Sequence, residues 1–130
     1  MPQASGSHGT FYWNELHAHD AERARKFYAD TIGWTFDPMP MAEGGTYWLA
    51  KAGGDMVGGI MELKGPELAD MPEGWIAYLA VDDVDARADK AVKAGATLMR
   101  PIFDIPGIGR IAMLREPGGA GIGWMTPAQR

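Results

Sequence analysis

The sequence contains no cysteine. Disulfides, thiolate nucleophiles and thiolate-bound zinc are therefore excluded. A basic excess is also missing: 12 Lys and Arg stand against 17 Asp and Glu, for a formal net charge of −5. A nucleic-acid binder needs a basic face to neutralise phosphates, so no nucleic-acid partner is expected. Docking on an anionic membrane through a polybasic patch is set aside for the same reason. No apolar run approaches the roughly 20 residues of a membrane span. No charged segment followed by an apolar stretch opens the chain, so no signal peptide is expected. These absences lead to the expectation of a soluble cytoplasmic protein.

What remains is an ordinary globular mixture of 130 residues, 46% hydrophobic and 22% charged. A chain of this length fits one domain and buries roughly two-thirds of its unfolded surface. Methionine (9) and tryptophan (5) are unusually frequent.

Residues 1–10 are small and polar and read as a loose leader. Phe11 to Ala18 is aromatic-rich and then alternates in polarity, which predicts a strand. Asp20 is a good helix N-cap, Glu22 complements the dipole, and Gly33 is a natural stop. Between them Ala24, Phe27, Tyr28 and Ile32 fall at helical spacing. Three short strands are then expected, Trp34 to Asp37, Thr46 to Ala52 and Met56 to Leu63. Residues 65–74 carry two prolines and read as a connector.

The order then repeats. Trp75 to Val81 predicts a strand, and Asp83 caps a helix whose Val84, Ala88, Ala91 and Val92 share a face and whose stop is Gly95. Strands follow at Thr97 to Ile102, Arg110 to Arg115 and Gly121 to Thr126, the first two separated by a long Pro/Gly loop. Asp20 matches Asp83 at an offset of 83 − 20 = 63, and Gly33 matches Gly95 at 95 − 33 = 62. The repeat lies in the order of elements and not in identity. The fold class is α+β, with tandem βαβββ modules at 11–64 and 75–127 joined by 65–74. Half-chains of this size are only marginally stable alone, so the halves are expected to pair, within one chain or between two.

Three segments carry a family resemblance: HAHDAERARKFYADTIGW, WIAYLAVDDVDARADKAVKAGA and GRIAMLREPGGAGIGWM. In this order they resemble the vicinal oxygen chelate superfamily, which contains glyoxalase I, bleomycin-resistance proteins and extradiol dioxygenases. The resemblance spans Phe11 to Pro127. It implies half-barrel modules with the helix on the convex side and the site on the concave side. It also implies a homodimer, and in members that catalyse, one divalent ion held by His, Glu or Gln on four strands. Carried over one by one, those positions fall on Trp13, Ile76, Gly123, and Gly59 or Met61. None of these side chains ligates such an ion. Glu62 is the nearest carboxylate but lies one residue out of phase, and side chains alternate between faces. No metal or other cofactor is therefore expected, with a divalent metal on displaced ligands as the alternative.

The residues that remain chemical are Glu15 and His17, on one face of the first strand by alternation. A carboxylate beside an imidazole in an apolar setting suits a general base or a polar anchor. With His19 they could instead form a local metal triplet, against a plainer arrangement in which Glu15 and His17 bond each other and His19 is exposed. Trp13, Trp48, Met61, Tyr78 and Met113 are the candidate ligand-binding set, since aromatics supply contact area and methionine adapts to shape; the competing reading is ordinary packing. The expected function is metal-free binding of a small apolar or aromatic molecule. The alternative is a lyase, isomerase or dioxygenase-type enzyme using Glu15 and His17 as base or as metal ligands.

Overall fold

The computed structural model describes residues 6–41 and 44–128. The elements are β1 (Phe11–Ala18), α1 (Ala21–Ile32), β2 (Thr35–Pro40), β3 (Thr46–Ala52), β4 (Asp55–Glu62), β5 (Gly74–Ala80), α2 (Val84–Lys93), β6 (Thr97–Leu98), β7 (Phe103–Ile105), β8 (Gly109–Arg115) and β9 (Gly121–Pro127). They form two compact units, Asn14–Trp75 and Met1–Trp13 with Ile76–Arg130. The unit boundary cuts β1 after Trp13, so the first module gives up the start of its first strand.

Each unit repeats one topology. In Asn14–Trp75 the strand order is β2-β3-β4-β1, with β4 parallel to β1 and the other pairs antiparallel. In the other unit the order is β5-β9-β8-β6, with β9 parallel to β5 and β7 added beside β8. Each parallel pair is bridged through its helix and the strands that follow.

Both helices start in the same way. The Asp20 carboxylate accepts from Arg23 N at 3.0 Å, and that of Asp83 from Ala86 N at 3.2 Å. The last strand of each module supplies a second cap. Glu62 Oε2 accepts from Ala21 N at 2.8 Å, and Thr126 Oγ1 accepts from Val84 N at 2.9 Å. These bonds satisfy N–H groups that the helix itself leaves without partners. Gly33 ends α1 with φ 78°, a left-handed conformation that side-chain-bearing residues resist.

One core lies under each helix. Leu16, Ala18, Ala21 and Ile60 pack with Ala24, Tyr28, Phe36 and Trp48. Val81, Val84, Ala88, Ala91, Ala112 and Leu114 pack under α2.

Four expectations need correction. The leader is ordered from residue 6: Gly9 N donates to Ala80 O and Ala80 N to Thr10 O, which continues β1 backwards along β5. Residues 1–5 lie outside the described residues. The strand expected over 97–102 is only Thr97–Leu98, with Met99 N donating to Met113 O at 2.8 Å just beyond it. The loop after it instead forms β7, where Phe103 and Ile105 are buried around exposed Asp104. The first edge strand runs on to Pro40; as an edge strand it tolerates Pro38 and Pro40. Finally, the helical stripe on α1 is not a buried stripe. Only Ala21 is buried on that helix, and Phe27 and Ile32 are 58% and 59% exposed.

The Asp82 carboxylate forms a two-point pair with Arg87, 2.9 Å from both Nε and Nη2. That hydrogen bond holds its pKa well below the ordinary 3.8. A depressed carboxylate stabilises the fold above its unfolded value and loses that contribution as pH falls. The melting-temperature gap between wild type and Asp82→Asn is therefore widest at neutral pH and narrows below pH 3.8. Removing the α2 cap with Asp83→Ala lowers stability by about 1 kcal/mol in urea unfolding.

Candidate functional site

The first module's sheet has two faces, and its register assigns each side chain to one of them. Leu16 pairs with Ile60 and Ile60 with Trp48, and this row packs beneath α1. The neighbouring rows point the other way. They are His17–Met61–Tyr47 and Glu15–Gly59–Leu49.

On this second face, Glu15, His17 and Tyr47 are all buried. The Glu15 carboxylate accepts from His17 Nε2 at 2.6 Å through Oε2 and from the Tyr47 hydroxyl at 2.7 Å through Oε1. A buried carboxylate is costly unless hydrogen-bonded, and here each oxygen is held by a side chain. The arrangement needs glycine at 59. A Cβ there would lie 2.1 Å from the Tyr47 hydroxyl oxygen, so the tyrosine ring occupies the space a side chain would take. The second module makes the same contact with different chemistry. Tyr78 pairs with Gly123, and a Cβ at 123 would meet Tyr78 Cε2 at 2.1 Å. Met113 lies across Gly123 from Tyr78, and Met125 pairs with Ala80 and Ile111. All of these second-module side chains are buried and none ionises at neutral pH.

The candidate residues thus separate. Glu15 and His17 bond each other, and Met61 sits in the row of His17. Tyr78 and Met113 share the equivalent row of the second module. Trp13 is buried on β1. Trp48 departs from expectation: it lies under α1, with the Arg25 guanidinium carbon 3.6 Å from its ring centroid. It is therefore on the wrong face to meet a ligand beside Glu15. His19 is exposed beyond the strand, with Nε2 2.8 Å from Met71 O and its backbone N donating to Glu73. The plainer arrangement of Glu15, His17 and His19 is the one found. Tyr47 was missed; the available signal was Gly58-Gly59 inside a strand, which marks a close approach.

Residues 10–44 match the family described as Bleomycin resistance protein-like N-terminal. The chain is 39% identical over 125 residues to CFP32 of Mycobacterium tuberculosis, a protein that carries a glyoxylase name; the match covers 95% of the chain and 48% of CFP32. It is 27% identical over 119 residues to the anthracycline biosynthesis protein DnrV of Streptomyces peucetius, covering 83% and 43%. The solved methylmalonyl-CoA epimerase of Mycobacterium tuberculosis superposes with TM-score 0.65 at 19% identity, covering 98% of this chain and 94% of that one. The chain belongs to the glyoxalase/bleomycin-resistance (vicinal oxygen chelate) superfamily. It spans about half the length of the curated relatives it matches.

The superfamily's ion fits these residues poorly. Gly59 and Gly123 stand at two of the expected ligand positions, and a tyrosine ring fills the space beside each. Trp13 and Ile76 at the other two offer no donor for a divalent ion. Glu62 faces away and caps α1. Among the described residues, no group of three or more His, Asp and Glu side chains is arranged to hold a metal.

Gly59→Ala forces the Tyr47 ring off Glu15 and lowers stability by about 1–3 kcal/mol, read by chemical denaturation. Tyr47→Phe keeps the ring and removes only its hydroxyl. It is expected to cost about 1–3 kcal/mol without loss of the folded far-UV spectrum.

Proposed function

We propose that this glyoxalase/bleomycin-resistance-like protein binds a small apolar or aromatic molecule without a metal ion, with Glu15 as the polar anchor. The observation that carries this reading is the Glu15 carboxylate, buried on the sheet face away from α1 and held by His17 and Tyr47. A purely structural core gains little from such a group, since burying it costs more than burying a hydrocarbon of similar volume. Leu49 and Met61 flank it in the register, and methionine moves aside for an irregular guest. The ligand places a hydroxyl or other donor against Glu15 and its ring system against Met61. The named role of DnrV in anthracycline biosynthesis supports a planar aromatic guest. Superfamily membership and the relatives' greater length also support a homodimer as the working unit, in the cytoplasm.

A second reading has its own support. Glu15 and His17 lie 2.6 Å apart, within proton-transfer distance. This arrangement suits a lyase or isomerase that moves a proton through Glu15. The epimerase fold neighbours are consistent with it, though at 19% identity they speak only to fold.

Binding of alizarin, a hydroxylated anthraquinone, separates the readings. Wild-type tryptophan fluorescence is quenched saturably. Glu15→Gln, which keeps shape and loses the charge, weakens binding at least tenfold, a loss of about 1.4 kcal/mol. Unchanged affinity in folded Glu15→Gln overturns the anchor role. Deuterium uptake at the α-carbon of methylmalonyl-CoA, abolished by Glu15→Gln, favours the proton-transfer reading.

A further inference from the structure

An aromatic cluster stands beside α1, and Phe27 and Ile32 of the helix and Trp75 of β5 are exposed around it. Tyr28 stacks on Trp34 with centroids 5.1 Å apart, and Trp75 stands edge-on to both at 5.7 and 5.8 Å. Trp75 Nε1 donates to the Tyr28 hydroxyl at 2.9 Å, which fixes the cluster. Phe27 meets Tyr28 at 5.0 Å, and Ile32 follows Tyr28 by one turn. The exposed part of this surface, Phe27, Ile32 and Trp75, has no counterpart on the repeat helix. The repeat helix α2 buries Val84, Ala88 and Ala91 and turns Asp85, Asp89, Lys90 and Lys93 outward, with Val92 its one large exposed apolar residue. The α1 patch is therefore an addition to one module of a repeated plan.

Resting on the homodimer reading above, we propose that this α1 patch is the surface on which a second copy of the chain docks. Small ligands are a poor match, because the three rings touch one another and leave no slot between them. Three arguments favour a second copy over another protein. The relatives matched at 39% identity have room for a further domain of this size in the same chain, since the matched segment is only 48% of their length. Phe27, Ile32 and Trp75 alone expose about 300 Å² of apolar surface, a sound centre for an interface of about 800 Å² per partner. The rim also carries both signs: Arg23 precedes Phe27 by one turn, and Asp30, which accepts from Lys26 Nζ of its own helix at 2.8 Å, follows it by nearly one. In an antiparallel twofold pairing centred on Phe27, Arg23 of each copy faces Asp30 of the other.

Sedimentation of the full chain from about 1 to 100 μM, a span that brackets interfaces of this size, tests the proposal. The expected result is a reversible dimer that Phe27→Glu weakens at least tenfold. Val92→Glu, the matched change on α2, leaves it unchanged. Arg23→Glu weakens the dimer, and adding Asp30→Arg restores it. Phe27 and Val92 are exposed, so both variants are expected to keep the wild-type circular dichroism. A dimer indifferent to Phe27→Glu overturns the surface but leaves the dimer standing. A monomer at every concentration overturns both. Binding of the monomer to phosphatidylcholine vesicles, lost in Phe27→Glu, assigns the patch to a lipid surface and overturns the second copy.

Discussion

The placement of one carboxylate governs the first module. Glu15 is buried, and the surrounding strands are arranged so that its oxygens are held by hydrogen bonds: His17 from the same strand, Tyr47 from two strands away. Tyr47 reaches it only because β4 has glycine between them. A side chain at 59 would remove the tyrosine, and with it one of the bonds that make burial of Glu15 tolerable. Strand register, the interior glycine and the acid are thus a single constraint. The second module keeps the geometry, with Tyr78 over Gly123, and omits the acid. The two modules are similar scaffolds, one polar at its centre and one apolar.

The same constraint bears on chemistry. The superfamily resemblance implies, for members that catalyse, an ion held by side chains on four strands. Here the projecting positions are glycine, tryptophan and isoleucine, and tyrosine rings fill the space beside the glycines. The one nearby carboxylate of opposite phase, Glu62, is committed to the N-terminus of α1. Thr126 has the same duty on α2, so Glu62 belongs to the capping plan of the fold.

Much of this was legible in the sequence because it depends on local rules. Asp20, Asp83 and Gly33 marked helix ends through hydrogen bonding and backbone freedom that act within a few residues. β1 and β3 were delimited by alternation and flanking turns, and the Glu15–His17 pair followed from the period of two. What was not legible depends on contacts across strands. Tyr47 lies 32 residues from Glu15, and only the register reveals that they meet. Trp48, its neighbour in sequence, was assigned to the ligand face, but one residue of phase places it under α1. The helical stripe of α1 was visible, but periodicity does not say how much of a stripe the sheet covers; here the sheet covers little of it.

Glu15 is proposed to anchor an organic group without a metal ion. The most direct measurement is elemental analysis of protein expressed with zinc, nickel, manganese and iron supplied and purified without chelator. The account predicts no stoichiometric metal in wild type. One ion per chain, lost on changing Glu15 or His17, would contradict it.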